Sequence, residues 1–214
     1  MIFQDNVIKK YLKNVYFIAG TPCGGKTTAS RELGKRYNIP VYDIDEIFPV
    51  HQQMSDAKIQ TAMNKYFKNA DEFFGRTVEE YTDWLIRNTR EQLDFVLMDL
   101  IRLSQNQKII CDCHLTISEA KQITEPDRIV FMIREPIDLV EEYCNRPDHQ
   151  DFSNYIHSTS DYDAAKRTCN ETLRRLNEER YYEIKESDYP WIERDLNRSV
   201  SETVDLVSKK LGLL

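Results

Sequence analysis

A glycine-rich segment between an apolar run and a helical pattern restricts the fold of this chain more than any other feature. Residues 15–19 read VYFIA, residues 20–28 read GTPCGGKTT, and a helical pattern follows. The segment matches G-x-x-x-x-G-K-[ST] at every fixed position, which is the pattern of a phosphate-binding loop (P-loop) between a strand and a helix. We therefore predict a nucleotide phosphate site formed by Gly20, Thr21, Pro22, Cys23, Gly24, Gly25, Lys26, Thr27 and Thr28.

The residue types of this loop suit phosphate chemistry. Glycines let the backbone turn tightly and present N–H groups to phosphate oxygens that a side chain would obstruct. The N-terminus of the following helix adds unpaired N–H groups and the positive end of its dipole. Lys26 supplies a positive charge to the β- and γ-phosphates, and the hydroxyl of Thr27 is a predicted Mg²⁺ ligand.

The rest of the chain alternates short apolar runs with helical patterns. The predicted strands are Val15–Ala19, Val41–Ile44, Lys108–Cys113, Arg128–Ile133 and Trp191–Glu193. The predicted helices are Thr27–Tyr37, about 77–107, Pro136–Cys144, Asp161–Glu186 and a last one from Ser199 towards Leu211. This alternation indicates right-handed crossovers and a parallel sheet covered on both faces. We predict one α/β domain over residues 1–214, with the P-loop NTPase fold and a five-stranded parallel sheet.

Two segments interrupt the alternation of strands and helices. They are Phe48–Arg76 and the polar stretch Asn145–Ser160. In a parallel sheet both would emerge at the carboxyl ends of strands, where ligands bind. We predict a substrate-binding insertion with its adjoining helices over about 46–107, and a mobile lid over about 145–166.

Composition and charge exclude several classes of partner. The chain is 41% hydrophobic and carries a formal net charge of −7, so neither nucleic acid nor an anionic membrane is expected as a partner. No apolar run is long enough to span a membrane, and the first residues lack the pattern of a secretion signal. The five cysteines are odd in number and scattered, which is typical of reduced thiols in the cytoplasm.

Two aspartates follow at the end of the second predicted strand. In 41-VYDIDEIF-48, Asp43 and Asp45 are two residues apart, so both side chains are expected on the same side of the strand. If this strand lies close to the first one in the sheet, its carboxyl end adjoins the P-loop. One carboxylate is then placed to organise Mg²⁺, and the other to accept a proton from a substrate hydroxyl.

The P-loop, the segment 41-VYDIDEIF-48 and the later 144-CNRPDH-149 together resemble the P-loop kinases of the shikimate kinase, gluconate kinase and adenylate kinase group. The resemblance covers the layout of most of the chain. It implies ATP as the phosphoryl donor, Mg²⁺ as the cofactor and a small-molecule acceptor. It also implies catalytic roles for Lys26, Asp45 and Arg146, the last reaching the phosphoryl group from the lid, and metal-binding roles for Thr27 and Asp43.

The third predicted strand ends in 111-CDCH-114, whose cysteines and histidine we interpret as structural residues rather than as metal ligands. Cys111, Cys113 and His114 lack the ligand spacing and the second ligand pair of a zinc site. Cysteine is a small, apolar residue that suits a buried strand. Asp112 is a candidate for an indirect contact to Mg²⁺ through water.

Three functions remain open on the sequence alone. The favoured one is a kinase that moves the γ-phosphoryl group of ATP onto a hydroxyl of a small molecule. The second is a nucleoside monophosphate kinase, which transfers the phosphoryl group to a phosphate and needs no catalytic base. This function predicts an arginine-lined acceptor pocket within Phe48–Arg90. A regulatory nucleotide switch has no acceptor to deprotonate, so the pair Asp43 and Asp45 argues against it.

Overall fold

The computed structural model describes residues 5–137, 140–144 and 149–213, and it confirms the predicted α/β architecture. The strands are β1 (Val15–Gly20), β2 (Val41–Asp43), β3 (Ile109–Asp112), β4 (Ile129–Ile133) and β5 (Trp191–Glu193). The helices are α1 (Asp5–Tyr11), α2 (Lys26–Tyr37), α3 (Ile44–Met54), α4 (Ala70–Phe74), α5 (Val78–Leu103), α6 (Ile117–Ile123), α7 (Val140–Cys144), α8 (Gln150–His157), α9 (Tyr162–Glu186) and α10 (Val200–Lys210). A short 3₁₀ helix, Pro126–Arg128, precedes β4.

All five strands form one parallel sheet in the order β2-β3-β1-β4-β5, which confirms the predicted sheet. β1 lies at its centre, between β3 and β4. The P-loop therefore leaves the middle of the carboxyl edge, where parallel α/β sheets bind their ligands. β3 separates β2 from β1, so the end of β2 reaches the P-loop across one intervening strand.

Alternate residues of β1 contribute to the cores on the two faces of the sheet. Val15 and Phe17 pack with residues of α5, α6 and α9, whereas Tyr16 and Ile18 pack with residues of α2 and α10. All six residues of β1 are buried, as expected for a strand covered on both sides. Burial of one large side chain such as Phe17 stabilises the fold by about 1.5–3 kcal/mol.

A third core lies beside the sheet and joins the predicted insertion to the predicted lid. It contains Phe74 of α4, Ile156 of α8 and Ala165 of α9. Asp71 Oδ1 also accepts hydrogen bonds from the backbone N–H (2.7 Å) and the hydroxyl (3.0 Å) of Ser160. The described parts of the predicted insertion and the predicted lid therefore pack on each other.

The second strand ends earlier than its sequence pattern predicts. β2 ends at Asp43 and α3 begins at Ile44, so the prediction that Asp45 continues the strand on the same side as Asp43 is wrong. Asp43 is the N-cap of α3, and its Oδ1 accepts the N–H of Asp45 at 3.0 Å. Aspartate favours this position because its carboxylate satisfies an N–H that the helix leaves unpaired. α3 then runs past Phe48 to Met54, so the segment Phe48–Arg76 begins as a helix.

The segment after β4 is described only in part. Pro136 and Ile137 are not helical, so the prediction that a helix begins at Pro136 is wrong. The N–H of Val140, the first residue of α7, is donated to Asn170 Oδ1 of α9 at 3.0 Å, which is a cap from a distant part of the chain. Residues 145–148, and with them the predicted catalytic Arg146, lie outside the described residues.

Two further observations concern the cysteines and the helices. All five cysteines are buried thiols outside any disulfide. Among the helices that the structure describes, none is both long enough and apolar enough to cross a membrane.

Candidate active site

The backbone of the P-loop follows a path that requires glycine at two positions. Gly20 and Gly25 have φ angles of +127° and +92°, in a region that other residues rarely adopt. A Cβ on Gly20 would lie 2.0 Å from the carbonyl oxygen of Met132 in β4. The N–H of Thr21 donates to the same oxygen at 3.0 Å, which holds the loop against β4.

Lys26 is the first residue of α2, and its side chain lies within the P-loop. The residue is 8% exposed, and its Nζ donates to the carbonyl oxygen of Thr21 at 3.0 Å. The hydroxyl of Thr21 is itself occupied, because it accepts the backbone N–H of Arg134 at 2.8 Å. The loop therefore surrounds one ammonium group, which is placed to neutralise an anion bound by the backbone N–H groups.

One cleft of about 600 Å³ extends from the P-loop to the chain that follows β5, and we call it the β5 cleft. The P-loop residues that line it are Cys23, Gly24, Gly25, Lys26, Thr27 and Thr28. Its other lining residues include Arg194, Leu196 and Arg198 after β5 and Val204 of α10. Arg194, Leu196 and Arg198 therefore bring the chain after β5 to a cleft that begins at the P-loop.

A network of two arginines and one glutamate joins three segments at the β5 cleft. Arg194 Nη1 donates to the carbonyl oxygen of Cys23 at 2.6 Å and to the carboxylate of Glu142. The second carboxylate oxygen of Glu142 accepts from Arg134 Nη2 at 3.3 Å. Glu142 belongs to α7, which directly precedes the predicted lid. The network therefore connects α7, the helix before the predicted lid, to the backbone of the P-loop.

A second cleft, of about 720 Å³, is lined by residues of α3, α5 and α9 and by the P-loop, and we call it the α5–α9 cleft. The residues Cys23, Lys26, Thr27 and Arg31 line both clefts. The α5–α9 cleft also contains the three aspartates Asp43, Asp45 and Asp112. The two clefts therefore meet at the lysine and the threonine of the P-loop.

Asp45 faces the α5–α9 cleft beside a histidine. The Asp45 side chain is 76% exposed, and its Oδ1 lies 3.5 Å from Nε2 of His114, which follows β3. The walls of the cleft tend to raise the pKa of Asp45, but the nearby His114 and Lys26 outweigh this effect and lower the pKa to about 2. Asp45 is therefore ionised at neutral pH and accessible to a ligand in the cleft.

Asp43 and Asp112 are register partners at the ends of β2 and β3. Burial and the neighbouring Asp112 raise the pKa of Asp43. Burial also raises the pKa of Asp112, although Lys26 opposes the effect. Asp112 Oδ2 is buried and has no hydrogen-bond partner among the described residues. A divalent cation would stabilise both carboxylates, because it offsets the cost of placing two negative charges in a partly dehydrated site.

The residues present fit a Mg²⁺ ion that is held jointly with phosphate oxygens. Thr27 lines the same cleft as Asp43 and Asp112, and its hydroxyl interacts with Asp112. Over residues 5–137, 140–144 and 149–213, no three His, Cys, Asp or Glu side chains form a ready-made metal cluster. Mg²⁺ commonly keeps several waters and binds through one or two carboxylates plus substrate phosphates, so a small protein ligand set is what it requires.

The structure brings four of the predicted catalytic and metal-binding residues to one place. Lys26, Thr27, Asp43 and Asp45 all line the α5–α9 cleft, although Asp45 reaches it from a helix rather than from a strand. Arg146 lies outside the described residues, so its role stays a prediction.

Several residues at the two clefts were not assigned to the site by the sequence analysis. They are His114, Glu142, Arg180 and Arg194. His114 carried a usable signal, since it follows directly after a predicted strand whose carboxyl end belongs to the binding edge. The other three lie on or after elements whose packing partners are distant in sequence, and no local pattern marks them.

Known proteins resemble this chain in structure rather than in sequence. No protein-family model and no curated protein sequence matches it. The solved shikimate kinase from Aquifex aeolicus is 18% identical, with a TM-score of 0.46, over 92% of this chain and 96% of that one. The shikimate kinase from Bacteroides thetaiotaomicron is 14% identical, with a TM-score of 0.45, over 92% of this chain and 98% of that one. Both neighbours belong to the kinase group that the sequence motifs resemble.

Proposed function

We propose that this protein is a Mg²⁺-dependent phosphotransferase that moves the γ-phosphoryl group of ATP to a hydroxyl of a small molecule. The observation that carries the proposal is that two clefts share the P-loop residues Lys26 and Thr27. The β5 cleft offers apolar and arginine side chains for a nucleotide, and the α5–α9 cleft contains Asp43 and Asp45. A phosphate held in the loop is then accessible from both clefts.

The role of each residue follows from its surroundings. The N–H groups of the loop and Lys26 bind the β- and γ-phosphates and neutralise the charge that spreads over the transferring group. Asp45, which is ionised, accepts the hydrogen of the acceptor hydroxyl. The hydroxyl oxygen bonds to the γ-phosphorus, the bond from that phosphorus to the β–γ bridging oxygen breaks, the proton passes to Asp45, and ADP leaves. Arg146, as the predicted lid arginine, completes the proposed site.

Thr27 and Asp43 are the residues that would hold Mg²⁺, and the unpaired oxygen of Asp112 would accept a hydrogen bond from water in the same part of the cleft. When bound, Mg²⁺ supplies charge neutralisation at the phosphate oxygens. Asp43 can remain the cap of α3 in this arrangement, because only its Oδ1 accepts the N–H of Asp45. Its Oδ2, which lies 3.7 Å from Arg31, is the oxygen that would hold Mg²⁺.

The test compares two variants that differ in the carboxylate they remove. Asp45→Asn keeps the shape of the side chain and loses the proton acceptor, so acceptor-dependent turnover should fall by roughly 10²–10⁴-fold. The affinity for ATP should stay within a few-fold of the parent protein, because no phosphate contact is lost. Asp43→Asn should instead weaken the use of Mg²⁺–ATP with any acceptor and slow the basal hydrolysis of ATP. Calorimetric titration with ATP and a steady-state rate measure the two effects separately.

One result would reverse the assigned roles. If Asp45→Asn binds ATP much more weakly and still transfers phosphate at the normal rate, Asp45 is not the base. Asp83→Asn is a matched control, because Asp83 is exposed on α5 and does not line either cleft. Its turnover and its ATP affinity should equal those of the parent protein.

A monophosphate acceptor has less support than a hydroxyl acceptor. It requires several arginines to bind the acceptor phosphate, and the described arginines that line the α5–α9 cleft are Arg31 and Arg180. Arg31 already lies 3.0 Å from Glu46 and 3.7 Å from Asp43. As part of the same proposal we assign the protein to a reducing cytoplasm, which the five buried thiols support.

A further inference from the structure

One face of α5 changes from aromatic to polar along the α5–α9 cleft. Tyr81, Trp84, Asn88 and Gln92 recur at intervals of three or four residues, so they lie on one face of the helix, and all four line the cleft. Gln92 marks the catalytic end, because its Nε2 donates to the carbonyl oxygen of Ile44, next to Asp45, at 2.6 Å. A ligand whose hydroxyl lies at Asp45 therefore meets amides first and aromatic rings farther along α5.

A face of α9 supplies a second side of the same cleft with the same gradation. Leu173, Leu176 and Arg180 recur at intervals of three and four residues and line the cleft. α9 packs along α5, and Tyr81 and Cys169 interact in the N-terminal halves of the two helices. Leucines and aromatic rings on the two sides suit a flat, apolar group, because both bury its faces without requiring a hydrogen bond.

The polar atoms along α5 are arranged to accept hydrogen bonds from a ligand. Trp84 Nε1 donates to the carbonyl oxygen of Ala62 at 2.9 Å, so the indole has no unsatisfied donor. Arg76 lies over the indole ring, 4.7 Å from its centroid, and the part of the ring that lines the cleft is what a ligand can contact. Asn88 Nδ2 makes a long contact of 3.4 Å to the same oxygen. The side-chain carbonyl oxygens of Asn88 and Gln92 form no hydrogen bond with the described residues. These two acceptors lie between the carboxylate of Asp45 and the aromatic end of the cleft.

The charges of the cleft favour an acceptor without a phosphate group. Arg31 is paired with Glu46 and Asp43, and Asp45 lies beside His114. Arg180 makes no ion pair or hydrogen bond with the described residues. Burial lowers its pKa, and the nearby Glu119, Glu183 and Glu179 oppose this effect. A single guanidinium can donate to hydroxyl or carbonyl oxygens, whereas its one positive charge would leave the charge of a phosphate dianion only partly neutralised.

We propose that the phosphoryl acceptor is a nucleoside, with a sugar hydroxyl at Asp45 and with its base against Trp84, Leu173 and Leu176. The inference rests on the proposed function. At the catalytic end, the sugar hydroxyls would hydrogen-bond to Gln92 and Arg180. The edge of the base, which carries N–H donors, would donate to the side-chain carbonyl oxygen of Asn88. The volume of about 720 Å³ lies in the range of small-molecule sites, about 300–1,000 Å³. A free sugar leaves the aromatic end unused, and a nucleotide adds a phosphate that the cleft does not pair.

The first experiment measures binding. The chain has two tryptophans, Trp84 in the cleft and Trp191 in β5, so Trp191→Phe leaves Trp84 as the single indole reporter. We expect a saturable change in Trp84 emission with at least one of the common ribo- or deoxyribonucleosides, and none with D-ribose at the same concentration. If none of the common ribo- or deoxyribonucleosides changes the emission of Trp84, the inference is overturned.

The second experiment measures transfer with Mg²⁺–ATP for nucleosides, free pentoses, hydroxy acids and nucleoside monophosphates. The value of kcat/KM for the best nucleoside should exceed that for ribose by at least about tenfold. Asn88→Ala should raise the KM for that nucleoside about tenfold with little change in kcat, which corresponds to the loss of about 1.4 kcal/mol of binding. The control Asp83→Asn, on the exposed face of the same helix, should leave both constants unchanged.

The outcomes separate the two proposals. Transfer to a pentose, a hydroxy acid or a monophosphate in preference to every nucleoside overturns the nucleoside inference and leaves the kinase proposal intact. The absence of transfer to any acceptor class, while ATP still binds, overturns the kinase proposal itself, and the nucleoside inference falls with it.

Discussion

The adjacent glycines Gly24 and Gly25 of the P-loop exclude a side chain for two different reasons, a steric clash at Gly24 and backbone strain at Gly25. A Cβ on Gly24 would lie 2.4 Å from the carbonyl oxygen and 2.8 Å from the carbonyl carbon of Met132, both of which are backbone atoms of β4. A Cβ on Gly25 would have its nearest contact at 3.6 Å, on the flexible end of the same methionine, but Gly25 has a φ of +92°. Gly24→Ala therefore introduces a clash, and Gly25→Ala introduces strain.

The two costs have different sizes. Relief of the clash at Gly24 requires the loop to move away from β4, which threatens the 3.0 Å hydrogen bond from Thr21 to Met132. Overpacking costs about 1–3 kcal/mol and a lost hydrogen bond about 0.5–1.5 kcal/mol, so we expect Gly24→Ala to lower the free energy of unfolding by about 2–4 kcal/mol. Gly25→Ala should cost about 1–2 kcal/mol from its left-handed backbone alone.

Urea unfolding and calorimetric titration with Mg²⁺–ATP test this reasoning. Gly212→Ala is the matched control, because Gly212 also has a positive φ, +61°, but a Cβ added there would meet no atom within 4 Å, and the residue is far in sequence from the loop. Its unfolding free energy should fall by about 1 kcal/mol, and its ATP affinity should be unchanged. Gly24→Ala should weaken ATP binding at least about tenfold. If Gly24→Ala matches the parent protein in both unfolding midpoint and ATP affinity, the loop is not held against β4 as described.

Three further predictions concern charge, closure and pH. Lys26→Ala should reduce turnover by on the order of 10³-fold, since it removes the ammonium within the loop, and parent-like turnover would contradict the phosphate site. Hydrogen exchange over Asn145–Ser160 should slow in the presence of a non-hydrolysable ATP analogue and Mg²⁺, and equal exchange with and without ligand would count against a closing lid. Burial tends to raise the pKa of Asp99, but hydrogen bonds from His51 and Tyr42 outweigh burial and lower it. The ionised carboxylate therefore stabilises the fold fully above its unfolded pKa of about 3.9, and this stabilisation is lost as the pH falls towards the lower pKa of the folded state. The difference in unfolding free energy between the parent protein and Asp99→Asn, measured in urea, should therefore shrink from pH 6 to pH 3, and a constant difference would refute the assignment.

Local patterns were sufficient to predict the sheet and the P-loop. The apolar runs around Phe17 and Phe131 are buried strands, and the glycines of the loop are required by its positive φ angles and by its close approach to Met132 of β4. Asp45 was misplaced because Asp-x-Asp suits both a strand end and the capped start of a helix. The choice depends on whether Asp43 captures the N–H of Asp45, which it does.

Contacts between distant segments were beyond the reach of the sequence pattern. Glu142 and Arg194 are 52 residues apart, and neither has a local pattern that predicts their pairing. The pairing of Asp71 with Ser160 spans 89 residues and joins segments that the sequence presented as an insertion and a lid. Such contacts follow from the sheet order and from the packing of α5 and α9, which become known only when the whole fold is assembled.

The meeting of two clefts at Lys26 and Thr27 predicts a stereochemical outcome for the proposed phosphoryl transfer. In the proposed reaction the donor and the acceptor occupy separate clefts, so both can be bound at once, and no protein side chain has to carry the phosphoryl group between them. A single in-line displacement places the entering oxygen opposite the leaving oxygen. The three remaining oxygens then pass through a plane, so a γ-phosphorus made chiral with sulfur and oxygen isotopes should appear in the product with inverted configuration.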